Sequence, residues 1–315
     1  MTENLYAVRS ISSAMILGSL LMFLAAAAKA QTRGQYAPGI NATNSGVLPE
    51  PGLTYSNIFL NYTFNEVHGA DGERLPFQPA FTILVDLNAF LWVSNKRLLG
   101  ANVGALAAVA VTNSSISFAN LGNVAGGAGF GDFFAEPFVL GWHLKRADIQ
   151  AGYAFVAPTG RFVPGATTNV GTGYWGHCPF AGETVYLTRN KATAVSAFQY
   201  YEFHGTQSGT GVHPGQNMSL DYSVTQTLPL IKKSKTLLQF GLVGYGQWQT
   251  TDKTGPRPID NATGRLHHGV LGLGAGANVI FPERKATLGF KYFKEFHAVS
   301  TPEGYTIQIS AGITF

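Results

Sequence analysis

The sequence has 315 residues and a formal charge of +4, and charged side chains make up 12% of it, against about 25% in typical soluble domains. Glycine is abundant at 38 residues, and the single cysteine, Cys178, excludes an internal disulfide. Beyond residue 30 no stretch reaches the ~18 apolar residues of a spanning helix, so the low charge favours a membrane β-barrel.

The first thirty residues have the parts of a secretory signal peptide. Arg9 precedes an apolar run over residues 14–28, and Ala-Lys-Ala at residues 28–30 gives the small-x-small pattern of a cleavage site. We predict cleavage after Ala30 and export to the outer membrane of a Gram-negative bacterium, so the positive charge indicates no nucleic-acid partner. The predicted organisation is a signal peptide (1–30), a polar segment (31–51) and a transmembrane β-barrel (52–315).

The polar segment over residues 31–51 is rich in Gly, Asn and Pro. Such composition is typical of disorder, and it favours a periplasmic tail. The alternative is a plug folded into the barrel lumen, which occurs in barrels of this class.

Alternation with a period of two recurs along the rest of the chain and predicts strands with one apolar and one polar face. It is clearest in the last eleven residues, YTIQISAGITF. Single-chain bacterial barrels have an even number of antiparallel strands, and we predict twelve in an all-β, up-and-down barrel. The predicted strands are 53–65, 77–93, 100–112, 131–143, 147–158, 173–187, 193–204, 217–228, 236–250, 265–281, 286–297 and 305–315.

The connections between these strands differ by parity. The even-numbered ones are short and basic, as in residues 94–97, 144–146 and 282–285, whereas most odd-numbered ones are long and rich in Gly, Asn, Thr and Pro. Short turns on one rim and long loops on the other are typical of outer-membrane barrels. A soluble β-sandwich, the alternative fold, has no reason to sort its loops in this way.

The C-terminal strand has two expected roles. It should pair with the first strand and close the barrel, because an open edge in lipid leaves backbone groups without partners at a cost of several kcal/mol each. Its outward aromatic and apolar residues, Tyr305, Ile313 and Phe315, should form the signal read by the barrel assembly machinery. Outer-membrane lipid is the other expected partner.

A twelve-stranded lumen should be narrow, so a few inward side chains could set what passes. Charges there could bind a solute or select ions, or they could pair with one another, as buried charges must; we favour mutual pairing. The predicted lumen residues are Asp86, Asn88, Asp221, Ser223, Lys291, Glu295 and Gln308.

We predict no enzyme, cofactor or metal site. The eight histidines provide no Ser–His arrangement on a strand of the kind that a hydrolase requires. No set of His and acidic residues shows ligand spacing on one face. The glycine-rich stretch 122–131 lacks the Lys-Ser/Thr ending of a phosphate-binding loop.

Several short motifs in the mature chain resemble an outer-membrane "transporter" family labelled for the meta-pathway of phenol degradation. They occur in order along nearly all of it: Gly131-Asp132, Leu140-Gly141-Trp142, Pro158-Thr159-Gly160-Arg161-Phe162, Asn169-Val170-Gly171, Tyr174-Trp175, Gly241-Leu242-Val243-Gly244-Tyr245, Gln249 with Asp252 before Gly255-Pro256, Lys294-Glu295-Phe296 and Pro302-Glu303-Gly304.

The resemblance implies a barrel that takes up small compounds, hydrophobic and aromatic ones among them, by passive diffusion through a narrow lumen. The alternative is a barrel that transports nothing and acts as a structural or adhesive protein through its surface loops.

Overall fold

The computed structural model describes residues 33–76, 79–118, 122–231, 235–258, 260 and 264–315, so the predicted signal peptide lies outside the described residues. Within those residues no helix is long and apolar enough to cross a membrane. The strands in chain order are β1 (Gly52–Val67), β2 (Ala80–Leu98), β3 (Ala101–Phe118), β4 (Gly122–Ala125), β5 (Ala128–Phe130), β6 (Phe133–His143), β7 (Ala147–Ala157), β8 (Gly176–Tyr186), β9 (Thr193–His204), β10 (Asn217–Ile231), β11 (Thr236–Gln249), β12 (Gly269–Phe281), β13 (Ala286–Val299) and β14 (Pro302–Thr314), with a 3₁₀ turn at Pro282–Arg284.

Twelve of these strands form one closed antiparallel barrel. Each pairs with its neighbour in the order β1, β2, β3 and then β6 to β14, and β14 pairs again with β1. The short strands β4 and β5 pair with β3 in the connection that precedes β6. The prediction of a transmembrane up-and-down barrel of about twelve strands is confirmed.

The seam between the first and last strands is paired along its length, with one irregularity between Phe64 and Glu66. Its register runs from Thr54 opposite Thr314 to Val67 opposite Pro302, and the Phe315 amide donates to the Leu53 carbonyl at 2.9 Å. No free strand edge remains at this point, as the closing role of the last strand requires.

The short turns lie together on one end of the barrel, here called the short-turn rim; the opposite end is the long-loop rim. The turn predicted at residues 94–97 is displaced, because β2 continues to Leu98. Leu99 and Gly100 both have positive φ, at 52° and 79°, as a two-residue hairpin that follows the strand twist requires. On the long-loop rim only residues 300–301 separate β13 from β14.

The outward surface of the barrel carries the exposed apolar side chains. Aromatic and aliphatic residues from every part of the ring lie on it, and they form the band that a membrane barrel presents to lipid. Examples are Phe90, Val111, Phe138, Val224, Leu242, Leu273, Leu288, Phe290 and Ile309.

Residues 33–50, here called the inner segment, lie inside the barrel, so the favoured periplasmic tail is wrong and the lumen plug is what the structure shows. Arg33 hydrogen-bonds Thr301 at the long-loop rim. At the other end Leu48 packs against Val93 and Val139. A polar composition suits this place because the segment's backbone groups find partners on the inward side chains of the barrel.

Candidate functional site: the lumen and the inner segment

Asp221 on β10 holds the middle of the inner segment. Its carboxylate accepts hydrogen bonds from the Tyr36 hydroxyl at 2.6 Å, the Gly39 amide at 2.8 Å and the Asn41 amide at 3.0 Å. The side chain is completely buried, and hydrogen bonds to a charged acceptor are among the stronger ones. Asp221 therefore fixes three groups of the inner segment at once.

Lys291 on β13 binds the same stretch through its carbonyl groups. Its ammonium donates to the carbonyls of Gly39 and Ile40 at 2.8 and 2.7 Å. Gln308 on β14 donates to the Pro38 carbonyl at 3.3 Å. The mutual pairing that the sequence favoured for the inward charges is wrong for this group, because the direct hydrogen-bond partners of Asp221 and Lys291 lie in the inner segment.

Glu295 on β13 anchors the start of the inner segment. It forms a salt bridge with Arg33 and accepts hydrogen bonds from the hydroxyls of Tyr62 and Tyr245, each at 2.9 Å. The Gly304 amide adds a fourth donor at 2.7 Å. A buried ion pair persists only when its remaining polar atoms are also satisfied, and this one meets that condition.

Glu202 on β9 is a further anchor that the sequence analysis missed. Its carboxylate accepts from the Gln35 amide at 2.6 Å and the Tyr36 amide at 3.3 Å, and the His204 ring lies 3.0 Å away. Aromatic residues occupy both faces of β9. This strand therefore lacks the alternation of apolar and polar residues by which the inward position of Glu202 could have been recognised.

An aromatic cluster also holds the inner segment against the barrel wall. The Tyr36 ring stacks on Tyr200 with a centroid separation of 4.6 Å, and Phe180 and Phe198 extend the stack with a centroid separation of 5.5 Å.

At the long-loop rim, His268 lies close to Arg33. Burial and then the charge of Arg33 lower the pKa of His268 to about 3, so the imidazole ring is neutral.

The predicted facing of β2 is wrong. Phe81 is 6% exposed and Phe90 is 50% exposed, so odd-numbered residues of this strand face inward. Asp86 and Asn88 therefore lie on the outward surface, where the Asn57 amide group donates to both. A period of two sorts residues into two faces but does not say which face is inside.

The inward face of β2 is apolar and lines one side of the lumen. Ile83, Val85 and Leu87 are only partly buried although they point into the barrel, and so are Ile58 on β1 and Leu106 on β3. By contrast, the inward polar side chains of β9 to β14 that contact the inner segment are almost completely buried. The inner segment thus covers the polar side of the lumen and leaves the apolar wall formed by β1, β2 and β3 less covered.

Glu136 on β6 is a second residue that the sequence analysis missed. It is opposite Leu106 in the register, and the even-numbered residues of β3 face inward. A bulge between Ala135 and Phe138, next to Pro137, breaks the alternation of this strand. A carboxyl side chain therefore lies beside the apolar wall of the lumen.

The other predicted site residues have clear positions. Ser223 faces inward on β10 and is buried, and its hydroxyl has no hydrogen-bond partner within the described part of the chain. Tyr305 and Ile313 on β14 face outward at 38% exposure each, and Phe315, which directly follows β14, is 70% exposed. Their role in assembly stays a prediction.

Comparison with solved structures supports the fold. An outer membrane channel from Pseudomonas putida has a TM-score of 0.68 and 16% sequence identity, with 89% of this chain and 100% of that chain covered. The β domain of the Bordetella autotransporter BrkA has a TM-score of 0.53 and 10% identity, with 84% and 100% covered. The comparison with curated proteins gives no match.

A family description matches residues 64–311, which is most of the chain and runs from the end of β1 into β14. The matched range contains eleven of the twelve barrel strands almost completely, together with the lumen anchors Glu202, Asp221, Lys291 and Glu295. The chain belongs to the family described as "Putative MetA-pathway of phenol degradation".

Proposed function

We propose that this protein is an outer-membrane channel through which small hydrophobic compounds, aromatic ones among them, diffuse into the cell. The family description supports the class of solute, and the similarity to an outer membrane channel supports the class of protein. The apolar wall of the lumen is the observation that carries the proposal.

That wall matches the chemistry of the solute. Ile83, Val85 and Leu87 present a continuous apolar strip on the inward side of β2, and they remain partly exposed beside the inner segment. When a small aromatic compound lies along such a strip, part of its apolar surface is removed from water. This stabilises the bound compound by about 25 cal/mol for each Å² of apolar surface buried. Ions gain nothing from it, because apolar constrictions exclude hydrated charge.

On the other side of the lumen, the inner segment also favours hydrophobic over hydrophilic solutes. It occupies the groups that a hydrophilic solute would need, since Asp221, Lys291 and Glu202 already bind its backbone and side chains. We therefore expect low ion conductance together with measurable uptake of hydrophobic compounds.

The test is an uptake assay in a strain that lacks the gene. Wild-type protein and the double variant Val85→Asn/Leu87→Asn are expressed to equal outer-membrane levels, and the initial uptake of a labelled benzene derivative such as phenol is measured. We expect wild type to restore uptake and the double variant to reduce it several-fold. The control is Ser223→Ala, an inward change on the opposite, polar side, which should take up the compound as wild type does. Uptake that is no faster with wild type than without the gene would refute the proposal.

The second candidate is a structural or adhesive barrel that transports nothing. The inner segment favours it, because this stretch runs through the lumen from Arg33 at one rim to Leu48 at the other. Single-channel recording in planar bilayers, combined with the uptake assay, separates the two: a sealed barrel gives neither conductance nor uptake.

A further inference from the structure

Three potential metal ligands meet at the long-loop rim of the seam between β1 and β14. Glu66 lies near the end of β1, His68 follows that strand, and Glu303 lies at the start of β14. One ligand atom from each residue lies within 4.8 Å of the other two. The closure of the barrel brings the three together, because Glu66 is opposite Glu303 in the register.

The His68 ring is oriented by a hydrogen bond from one of its nitrogens. Its Nδ1 atom lies 2.8 Å from the Gly72 carbonyl oxygen. A carbonyl can only accept, so Nδ1 is the donor, and Nε2 is the ring nitrogen that can bind a metal ion. Such a bond from the second ring nitrogen to a carbonyl is the usual way in which a metal-binding histidine is oriented.

The Nε2 atom of His68 is buried and has no hydrogen-bond partner among the residues that the structure describes. The Oε2 atoms of Glu66 and Glu303 lie 3.9 and 3.7 Å from it, and both distances exceed the range of a hydrogen bond. A buried polar atom without a partner is costly, and here three electron-rich atoms face one another. A cation between them satisfies all three.

The two carboxylates are held by their other oxygens. Arg74 lies 3.3 Å from Oε1 of Glu66, and Lys294 lies 3.8 Å from Oε1 of Glu303. Both cationic side chains are about half exposed, so these ion pairs are weak. They orient the carboxylates while leaving each Oε2 atom directed at His68.

We propose that Glu66, His68 and Glu303 bind a divalent transition-metal ion of the Zn²⁺ type. One imidazole nitrogen and two carboxylate oxygens, with water as a fourth ligand, are a known kind of zinc coordination. At the usual bond lengths of about 2.0–2.2 Å, a tetrahedral ion separates its ligand atoms by about 3.4 Å. The 3.7 and 3.9 Å distances need to shorten by only a few tenths of an ångström.

The site lies next to the anchor of the inner segment. The Thr301 carbonyl accepts from the His68 amide at 3.0 Å, and the Thr301 hydroxyl accepts from Arg33 at 2.8 Å. An ion at the seam therefore fastens the rim segment to which the inner segment is attached. The sequence analysis predicted no metal site, and this proposal departs from that prediction. Ligand spacing could not reveal the site, because Glu303 is distant from Glu66 and His68 in the chain.

The test is titration of the refolded full-length protein in detergent with zinc chloride by isothermal titration calorimetry. We expect one Zn²⁺ per chain and a loss of affinity of at least 100-fold in His68→Gln and in Glu303→Gln. Glu303→Gln keeps the shape of the side chain, and heat-modifiable migration on gels shows that each variant has folded. The matched control is His267→Gln, which removes an exposed histidine that lies 2.8 Å from Asp252 on another loop; its binding should equal that of wild type.

Substitution with Co²⁺ gives a second readout that needs no variant, because its visible absorption should show nitrogen and oxygen coordination at one equivalent. Stoichiometric Zn²⁺ binding that survives both ligand substitutions would overturn the proposal. So would the lack of saturable binding in wild type, or tighter binding of Ca²⁺ than of Zn²⁺, since a calcium site has no use for an imidazole.

Discussion

Replacing Asp221 with alanine should release the middle of the inner segment from the barrel wall. The change removes the acceptor for Tyr36, Gly39 and Asn41. Hydrogen bonds to a charged group contribute about 1.5–3 kcal/mol each, but such contributions are not additive, so we expect a loss of at least ~3 kcal/mol. Since each ~1.4 kcal/mol is tenfold in an equilibrium constant, the detached population should rise more than 100-fold. Lys291 also loses the nearby charge of Asp221, which weakens the attachment of the inner segment to the barrel wall further.

Hydrogen exchange measured by mass spectrometry tests this directly, because the Gly39 and Asn41 amides lose their acceptor. Exchange over residues 36–41 should accelerate by about 100-fold or more, as expected for a loss of ~3 kcal/mol, and single-channel conductance should rise. Ser223→Ala is the matched control: Ser223 lies two residues away on the same inward face, and its hydroxyl has no partner among the described residues. The reasoning is refuted if Asp221→Ala leaves exchange and conductance unchanged, or if Ser223→Ala alters them equally.

Three further predictions concern the outward surface. Asp86→Leu should stabilise the barrel by about 1–2 kcal/mol, because it removes a carboxylate that faces lipid. The cost of such a carboxylate is smaller than the ~2–4 kcal/mol of a lipid-facing cation. A lower unfolding midpoint of the variant in lipid vesicles would contradict the outward position of Asp86. Tyr222→Arg, outward on β10, should cost roughly 2–4 kcal/mol in that assay, and a neutral result would place Tyr222 in the lumen. Deleting Phe315, which is 70% exposed, removes little apolar burial and one hydrogen bond to Leu53, so it should cost only about 1–2 kcal/mol. It should nevertheless lower the amount in outer-membrane fractions, whereas Thr314→Ser should change neither; normal levels would reject the assembly signal.

Local patterns in the sequence determined most of the barrel. Alternation with a period of two requires only neighbours in the chain, so all twelve strands were found, most of them to within a few residues of their ends. The facing was also right on the strands with clean alternation: Asp221 on β10 and Lys291 and Glu295 on β13 lie inward, as predicted. Short basic turns predicted which connections share a rim, because hairpin geometry is local as well.

Only the tertiary structure decided what lies inside the barrel. The inward face of β2 is apolar and its outward face carries Asp86 and Asn88, so the expectation that polar side chains face the lumen gave both residues the wrong facing. The inner segment carries no local signal of its position, since its partners, such as Asp221 and Glu202, lie far along the chain. The same closure brings Glu66 and Glu303 together at the seam, because the register between the first and last strands is set by the whole barrel.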